Sequence, residues 1–300
     1  VQIYLPIAEL SVNIFLILGL GGITGVLSGM FGVGGGFLTT PFLMFIGVSP
    51  AVAVASSANQ IIATSYSGFL AYWRKQTVDF KMGRFLLIGG TIGAFAGVAL
   101  FSWLKTKGYV DVLISVSYVF FLGTIGALMG IESFKSLKKS DHSQAPSKAA
   151  WFAQLPWQVY FPTSKVQASG WLPIGIGLFV GVMVSIMGVG GGFFLIPALI
   201  YLVGMPTGIV IGTSLFQIIF ITAQVTFLQA ITTQTVDIVL ALLLLTGSVI
   251  GAQFGTKIGA KIAPAKLRAL LAVLVLSVAL RLGYGLFATP TNLYTIVTGL

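Results

Sequence analysis

Seven polar side chains fall in two short stretches of otherwise apolar sequence. They are Ser56, Ser57, Asn59 and Gln60 in "SSANQII" at 56–62, and Thr213, Ser214 and Gln217 in "TSLFQII" at 213–219. All are neutral hydroxyls or carboxamides. Such groups hydrogen-bond a ligand or one another, and a hydroxyl becomes a nucleophile only beside an activating base. Two further stretches, "GVGGGF" at 32–37 and at 188–193, carry Gly32, Gly34, Gly35 and Gly36, and Gly188, Gly190, Gly191 and Gly192. Three consecutive glycines serve no single helix face and strongly disfavour continuous helix. Pro41 and Pro197 follow closely and each removes another backbone donor. A helix that restarts after such a break presents free N–H groups and the positive end of its dipole, for which an anion is the natural guest.

Nucleotide loops are excluded. The phosphate-binding P-loop ends in Gly-Lys-Ser/Thr, and neither glycine cluster has a lysine; the dinucleotide pattern G-x-G-x-x-G fails at its last position, Phe37 or Phe193. For the hydroxyl–glutamine stretches two readings stay open, helix–helix hydrogen bonding and contact with a ligand. As ligand contacts, Gln60 and Gln217 would donate to the anion. Gly89, Gly93 and Gly97, and Gly247, Gly251 and Gly255, recur every four residues on one helix face, the pattern of close helix packing.

Catalytic chemistry finds little to work with. There is no cysteine, and the one histidine, His142, sits in a polar segment. Asp79 and Asp237 fall at loop ends, where an interfacial position is expected. Arg281 lies near the end of the last apolar run and can snorkel. No Asp, Glu or His stands as an obvious midspan proton relay. No metal, cofactor or catalytic residue is expected, and an enzyme is the least favoured class.

The elements that hold these residues must lie in a bilayer. Of 300 residues 57% are hydrophobic and 7% charged, against about 25% charged in a soluble domain. The expected fold is an all-α polytopic membrane protein. Apolar runs place spans near 10–30, 35–47, 50–72, 84–103, 109–130, 171–187, 191–204, 206–229, 237–256 and 266–287. The second and seventh are too short for a straight crossing and begin at the glycine breaks, as discontinuous or re-entrant helices would. No charged n-region precedes the first run, so a separate secretory signal is not expected.

The two halves align in order. "GVGGGF" matches "GVGGGF", Pro41 matches Pro197, "SSANQII" matches "TSLFQII", "QTVDF" at 76–80 matches "QTVDI" at 234–238, and the two glycine stripes match. This is an internal repeat of five plus five spans: 1–130, a linker at 131–170, and 171–300. Five is odd, so the second copy must cross in the opposite sense. The charges agree. Arg74, Lys75, Lys81 and Arg84 follow the third span, Lys257, Lys261, Lys266 and Arg268 precede the last, and Lys135, Lys138, Lys139, Lys148 and Lys165 lie in the linker. Thirteen of sixteen basic residues thus share one side, which the positive-inside rule makes cytoplasmic, with both termini external. The net charge of +10 then reports topology and gives no reason to expect nucleic acid. The first half of the linker reads as flexible loop. Its second half, with Trp151, Phe152, Trp157, Tyr160 and Phe161, is expected along the cytoplasmic headgroups.

Two inverted copies bring two half-helix ends together near the midplane, the arrangement in which a transporter holds its substrate. The duplicated "GVGGGFLTTP" and "GVGGGFFLIP" in a ten-span chain resemble the sulfite exporter TauE/SafE family, also called the toluene sulfonate uptake permease group, over all but the linker. The resemblance implies a bacterial-type inner-membrane carrier of a small sulfur-containing anion such as sulfite, sulfoacetate, thiosulfate or another organosulfonate. The family signature falls on Gly32, Gly34, Gly35, Gly36 and Pro41, and on Gly188, Gly190, Gly191, Gly192 and Pro197. Asn59 departs from symmetry, since its mate is Phe216. The expected function is export by alternating access, with an anion channel using the same half-helix ends as the alternative. The expected partners are the anion and membrane lipid.

Overall fold

The structure, a computed structural model, describes residues 2–31, 36–138, 156–259, 262 and 264–287. Among these, strands β1 (Gln2–Leu5) and β2 (Leu10–Asn13) precede helices α1 (Ile14–Phe31), α2 (Gly36–Phe45), α3 (Pro50–Arg74), α4 (Phe80–Thr106) and α5 (Val110–Lys138). Strands β3 (Gln158–Phe161) and β4 (Val166–Ser169) precede α6 (Trp171–Met187), α7 (Gly192–Ala198) with a π-helical turn (Leu199–Val203), α8 (Thr207–Thr232), α9 (Ile238–Gly259) and α10 (Pro264–Phe287).

Local sequence explains the ends. Pro50 opens α3, where its missing N–H costs nothing. The Asp79 side chain caps α4 by accepting from the Met82 amide at 3.0 Å, and Asp237 caps α9 in the same way through Leu240 at 3.0 Å. Gly188 ends α6 in the left-handed region at φ 65°, the usual glycine stop. Pro197 lies inside α7, and the helix widens into the π turn directly after it.

The glycine stripes do what their spacing foretold. A side chain at Gly89 or Gly93 would meet the backbone of Ile174 or Leu178, and one at Gly97 would meet Ser185 and Val182. In the same manner Gly247, Gly251 and Gly255 lie against Leu18, Gly22 and Val26. So α4 packs on α6 and α1 on α9, each pair parallel and nearly backbone to backbone. By contrast α3 and α8 run antiparallel, since Tyr72 meets Gly212 while Gly68 meets Leu215. The helices of the two halves therefore interleave, and α5 packs on α10. The main core gathers Phe37, Leu38, Met82, Leu86, Tyr118, Phe193, Leu195 and Ile221 from both halves.

Some boundaries are corrected. The described residues are predominantly helical, as expected, and two short antiparallel hairpins precede α1 and α6. They share one register, Gln2 opposite Asn13 and Gln158 opposite Ser169. The first span accordingly starts at Ile14, and residues 158–169 are a folded ribbon in which Phe161 is buried while Trp157 and Tyr160 are exposed; Trp151 and Phe152 lie outside the described residues. Helix α5 runs on to Lys138, past the expected end at 130. Among the described residues, six helices are long and apolar enough to cross a membrane: Ile14–Phe31, Phe80–Thr106, Val110–Ile131, Gly208–Thr232, Ile238–Ile258 and Ala269–Leu286. Helix α3 is long enough, with 25 residues, but its polar stretch dilutes it. Helices α2, α6 and α7 are short.

Candidate functional site

The two glycine breaks meet inside the protein. A side chain at Gly36, where α2 begins, would lie 2.7 Å from the Gly188 carbonyl oxygen at the end of α6. One residue on from each break, Phe37 and Phe193 stack with centroids 5.1 Å apart and planes 11° from parallel, and both are buried. Gly188 in turn lies against α3. A Cβ there would come within 2.6 Å of the Val54 carbonyl oxygen and 3.1 Å of Ser57 Oγ. Gly190 faces Ile61 of the same helix. Gly32, Gly34 and Gly35 lie outside the described residues.

Side chains close off the broken ends. The carbonyl groups in the last turn of α6 lack helical partners, and Gln229 Nε2 donates to Ser185 O at 3.0 Å while the Tyr118 hydroxyl donates to Met187 O at 2.6 Å. Thr40 Oγ1 and Ser57 Oγ hydrogen-bond at 2.7 Å, which ties α2 to α3 beside Gly188. At the start of α7 the Phe194 and Leu195 amides return to Gly191 O. Gly191 brings no capping side chain to α7.

The polar residues picked out in the sequence divide by place. Ser57 and Gln60 lie one turn apart on α3, both fully buried. Gln60 Nε2 donates to Thr24 Oγ1 of α1 at 3.0 Å. Its mate Gln217 reaches Leu86 O of α4 at 3.4 Å, next to Gly90. In each carboxamide the nitrogen is engaged within the protein, and the carbonyl oxygen has no partner among the described residues. Ser214 turns back on its own helix, donating to Ile211 O at 2.9 Å. Asn59 is half-buried and reaches Ala55 O at 3.4 Å. Phe216, its mate, joins an aromatic cluster with Phe69, Phe80 and Phe220.

Ser56 and Thr213 form ties between the halves. Ser56 Oγ accepts from the Asp237 amide at 3.1 Å, and Thr213 Oγ1 from the Asp79 amide at 2.9 Å. The aspartates themselves correct the sequence reading. They are buried within the protein, not exposed at the loop ends. Asp79 Oδ2 accepts from the Ser164 amide at 3.1 Å and its hydroxyl at 2.7 Å. Asp237 Oδ2 accepts from the Ile7 and Ala8 amides at 3.0 and 3.3 Å. Each carboxylate thus caps a helix of one half and seats the hairpin turn of the other, and these charge-assisted bonds are what make its burial tolerable.

Comparison with known proteins supplies the family. The profile of the family described as Sulfite exporter TauE/SafE matches residues 17–282. The chain belongs to this family. Among its TauE/SafE relatives, two from Bacillus subtilis (strain 168) are named "Probable membrane transporter protein YjnA" and "Probable membrane transporter protein YunE". Each is 28% identical, over 91% and 93% of this chain respectively and the whole of the relative. A "Probable membrane transporter protein" from Xylella fastidiosa (strain 9a5c) is 26% identical over 89% of this chain and 94% of its own. No solved structure matches the chain significantly. As a TauE/SafE protein it is a multi-pass membrane transporter, and the glycine breaks lie within the matched span.

Proposed function

We propose that this TauE/SafE protein is a secondary carrier that moves a small sulfur-containing anion, such as sulfite, sulfoacetate or another organosulfonate, out of the cell across the inner membrane by alternating access. The observation that carries this reading is the contact of the two glycine breaks in the interior, Gly36 against Gly188 with Phe37 stacked on Phe193. The anion sits against the backbone amides at the starts of α2 and of α7 with its π-helical continuation. The glycines let it approach the backbone, and Ser57, Gln60 and Gln217 complete the site. Two helix ends, each equivalent to about half an elementary charge, balance a compact anion without a buried lysine or arginine.

The ten helices then act as two five-span repeats of opposite sense. Support comes from the antiparallel run of α3 and its mate α8, and from the parallel pairs α1–α9 and α4–α6. The basic loops are cytoplasmic and the termini external. Export down an inside-negative potential needs no coupling ion, since each charge gains about 2.3 kcal/mol per 100 mV. The buried stack of Phe37 on Phe193 favours a carrier over a channel, because it puts an apolar wall where a channel needs a continuous wet path.

The test is flux from proteoliposomes loaded with labelled sulfite, thiosulfate or sulfoacetate. A carrier shows saturable efflux that accelerates when unlabelled anion is present on the far side. Non-saturating flux without counterflow identifies a channel, and no flux of any of the three defeats the substrate class.

A further inference from the structure

The contacts sort most of the helices into two modules that cut across the halves. One module joins β1–β2, α1 and α3 to α9 of the second half. Gly21, Gly25 and Gly29 of α1 lie on the α9 backbone, and Asp237, just before α9, seats the β1–β2 turn through the Ile7 and Ala8 amides. Helix α3 is tied in twice. Ser56 Oγ accepts from the Asp237 amide at 3.1 Å, and Gln60 hydrogen-bonds Thr24 of α1 at 3.0 Å. The other module joins β3–β4, α6 and α8 to α4 of the first half. Gly177 and Gly181 of α6 lie on the backbone of Leu86 and Gly90 of α4. Asp79, just before α4, seats the β3–β4 turn through Ser164, and Lys81 Nζ donates to Tyr160 O of β3 at 2.9 Å. Helix α8 is tied in three times, by Thr213 to the Asp79 amide, by Gln217 to Leu86 O and by Gln229 to Ser185 O.

Each of these hydrogen bonds stays within one module. Where the modules meet, α3 on α8, apolar groups face glycines and aromatic rings. Leu215 lies on Gly68, Tyr72 Cβ on Gly212, and Phe216 against Phe69 with centroids 5.8 Å apart. Hydrogen bonds weaken steeply as they bend or stretch, whereas apolar contact is non-directional, so helices packed in this way can slide. The second glycine break stands on the boundary. Gly188 and Gly190, which follow α6 of one module, face Val54, Ser57 and Ile61 of α3 in the other.

We propose that the bodies which move against each other during transport are these two interleaved modules, not the two repeats taken whole, with α3 and α8 as the sliding surface. Asp79 and Asp237 are positioning residues. Each carboxylate fastens a hairpin of one half to a helix start of the other, so that the parts of a module travel together. This rests on the carrier reading above and supplies its moving parts.

The experiment measures distances between spin labels on the full chain in nanodiscs, with and without sulfite, thiosulfate or sulfoacetate. The chain has no cysteine of its own, and Glu9, Lys107, Lys165 and Gln253 are all exposed. Glu9→Cys with Gln253→Cys lies within one module, and Lys107→Cys with Lys165→Cys within the other. Glu9→Cys with Lys107→Cys, and Lys165→Cys with Gln253→Cys, each join the two modules but stay within one half of the chain and its hairpin. An anion is expected to leave both distances within modules fixed and to shift at least one of the two between them. A shift within either module overturns the proposal and leaves the carrier reading standing. No shift in any pair with any of the three anions defeats the carrier reading, and the modules fall with it. In efflux assays Asp237→Asn, which keeps the side chain's shape and loses its charge, lowers turnover at least about tenfold and leaves the half-saturating concentration within about threefold. Unchanged turnover, or a matching rise in the half-saturating concentration, removes Asp237 from the positioning role. The distances are read with both aspartates intact, so a variant that fails to fold does not decide the matter.

Discussion

Gly191 stands at φ 75° with no side chain, and a Cβ there would lie 2.5 Å from Val180 Cγ1. The left-handed conformation alone costs a branched residue about 1–2 kcal/mol. The methyl of Val180 can yield, since it is the tip of a side chain and not backbone. Gly191→Val is therefore expected to leave the protein inserted and folded but to abolish anion flux, as its side chain takes the ground beside the first amides of α7. Size-exclusion profile and flux, measured on one preparation, check this; a folded variant with near-normal flux would reduce the cluster to packing. Gly188 is less forgiving, because its Cβ would strike the backbone of Val54 at 2.6 Å. Of the residues that bound the break, the glycines could be read from composition and spacing. Gln229 and Tyr118 could not. Their partners Ser185 and Met187 lie 44 and 69 residues away, and a lone glutamine or tyrosine in an apolar run carries no mark of which carbonyl it will cap.

At the scale of elements, the hairpins and the helix pairs make separate claims. Asp79→Ala removes the cap of α4 and both bonds to Ser164, a loss of about 2–4 kcal/mol. Hydrogen exchange should show the β3–β4 hairpin loosened while β1–β2, seated on Asp237, keeps its protection; loosening of both hairpins, or of neither, would break the assignment. The Asp237→Ala variant should give the mirror result. For the helix pairs, Gly93→Leu or Gly251→Leu must force apart backbones that touch, so each should cost most of the folded yield. Recovery of monodisperse protein at normal levels from either would show that the pairs tolerate separation. The packing faces were legible, because a spacing of four survives in any window of the sequence, but not which helix each face would meet. The hairpins were not, since four-residue strands leave almost no periodic signal and residues 10–13 merge with the apolar run that follows. One signal was there to find. "QIYLP" at 2–6 and "QVYFP" at 158–162 stand at the same offset as the two "GVGGGF" stretches. The aspartates were misjudged for a related reason: burial is conferred by the hairpin turns, 85 residues from Asp79 and 230 from Asp237.

For the whole molecule, orientation is the quantity to measure. The chain has no cysteine, so single-cysteine variants can be labelled without background. The hairpin turns are exposed at Glu9 and Lys165, and an inverted repeat sets them on opposite faces. Glu9→Cys should react with an impermeant maleimide from outside intact cells, whereas Lys165→Cys and Ser140→Cys should react only once the membrane is opened. Reaction of Glu9→Cys and Lys165→Cys from the same side would rule out opposite senses for the two halves.

The pairing of α1 with α9 also sets a problem in time. Gly21, Gly25 and Gly29 of α1 lie against Leu244, Ser248 and Ala252 of α9, which the ribosome makes much later. Gly259, the end of α9, follows Phe31, the end of α1, by 228 positions. At roughly 5–20 residues per second that is an interval of about ten to fifty seconds. Throughout it the glycine face of α1 that α9 will cover stays bare, although α3 can already reach α1 through Gln60 and Thr24. Helix α6, which arrives earlier, is already claimed by α4. The nascent chain must therefore be kept from false pairings until α9 emerges, and a transcript cut short before α9 yields a product in which the glycine face of α1 is never covered.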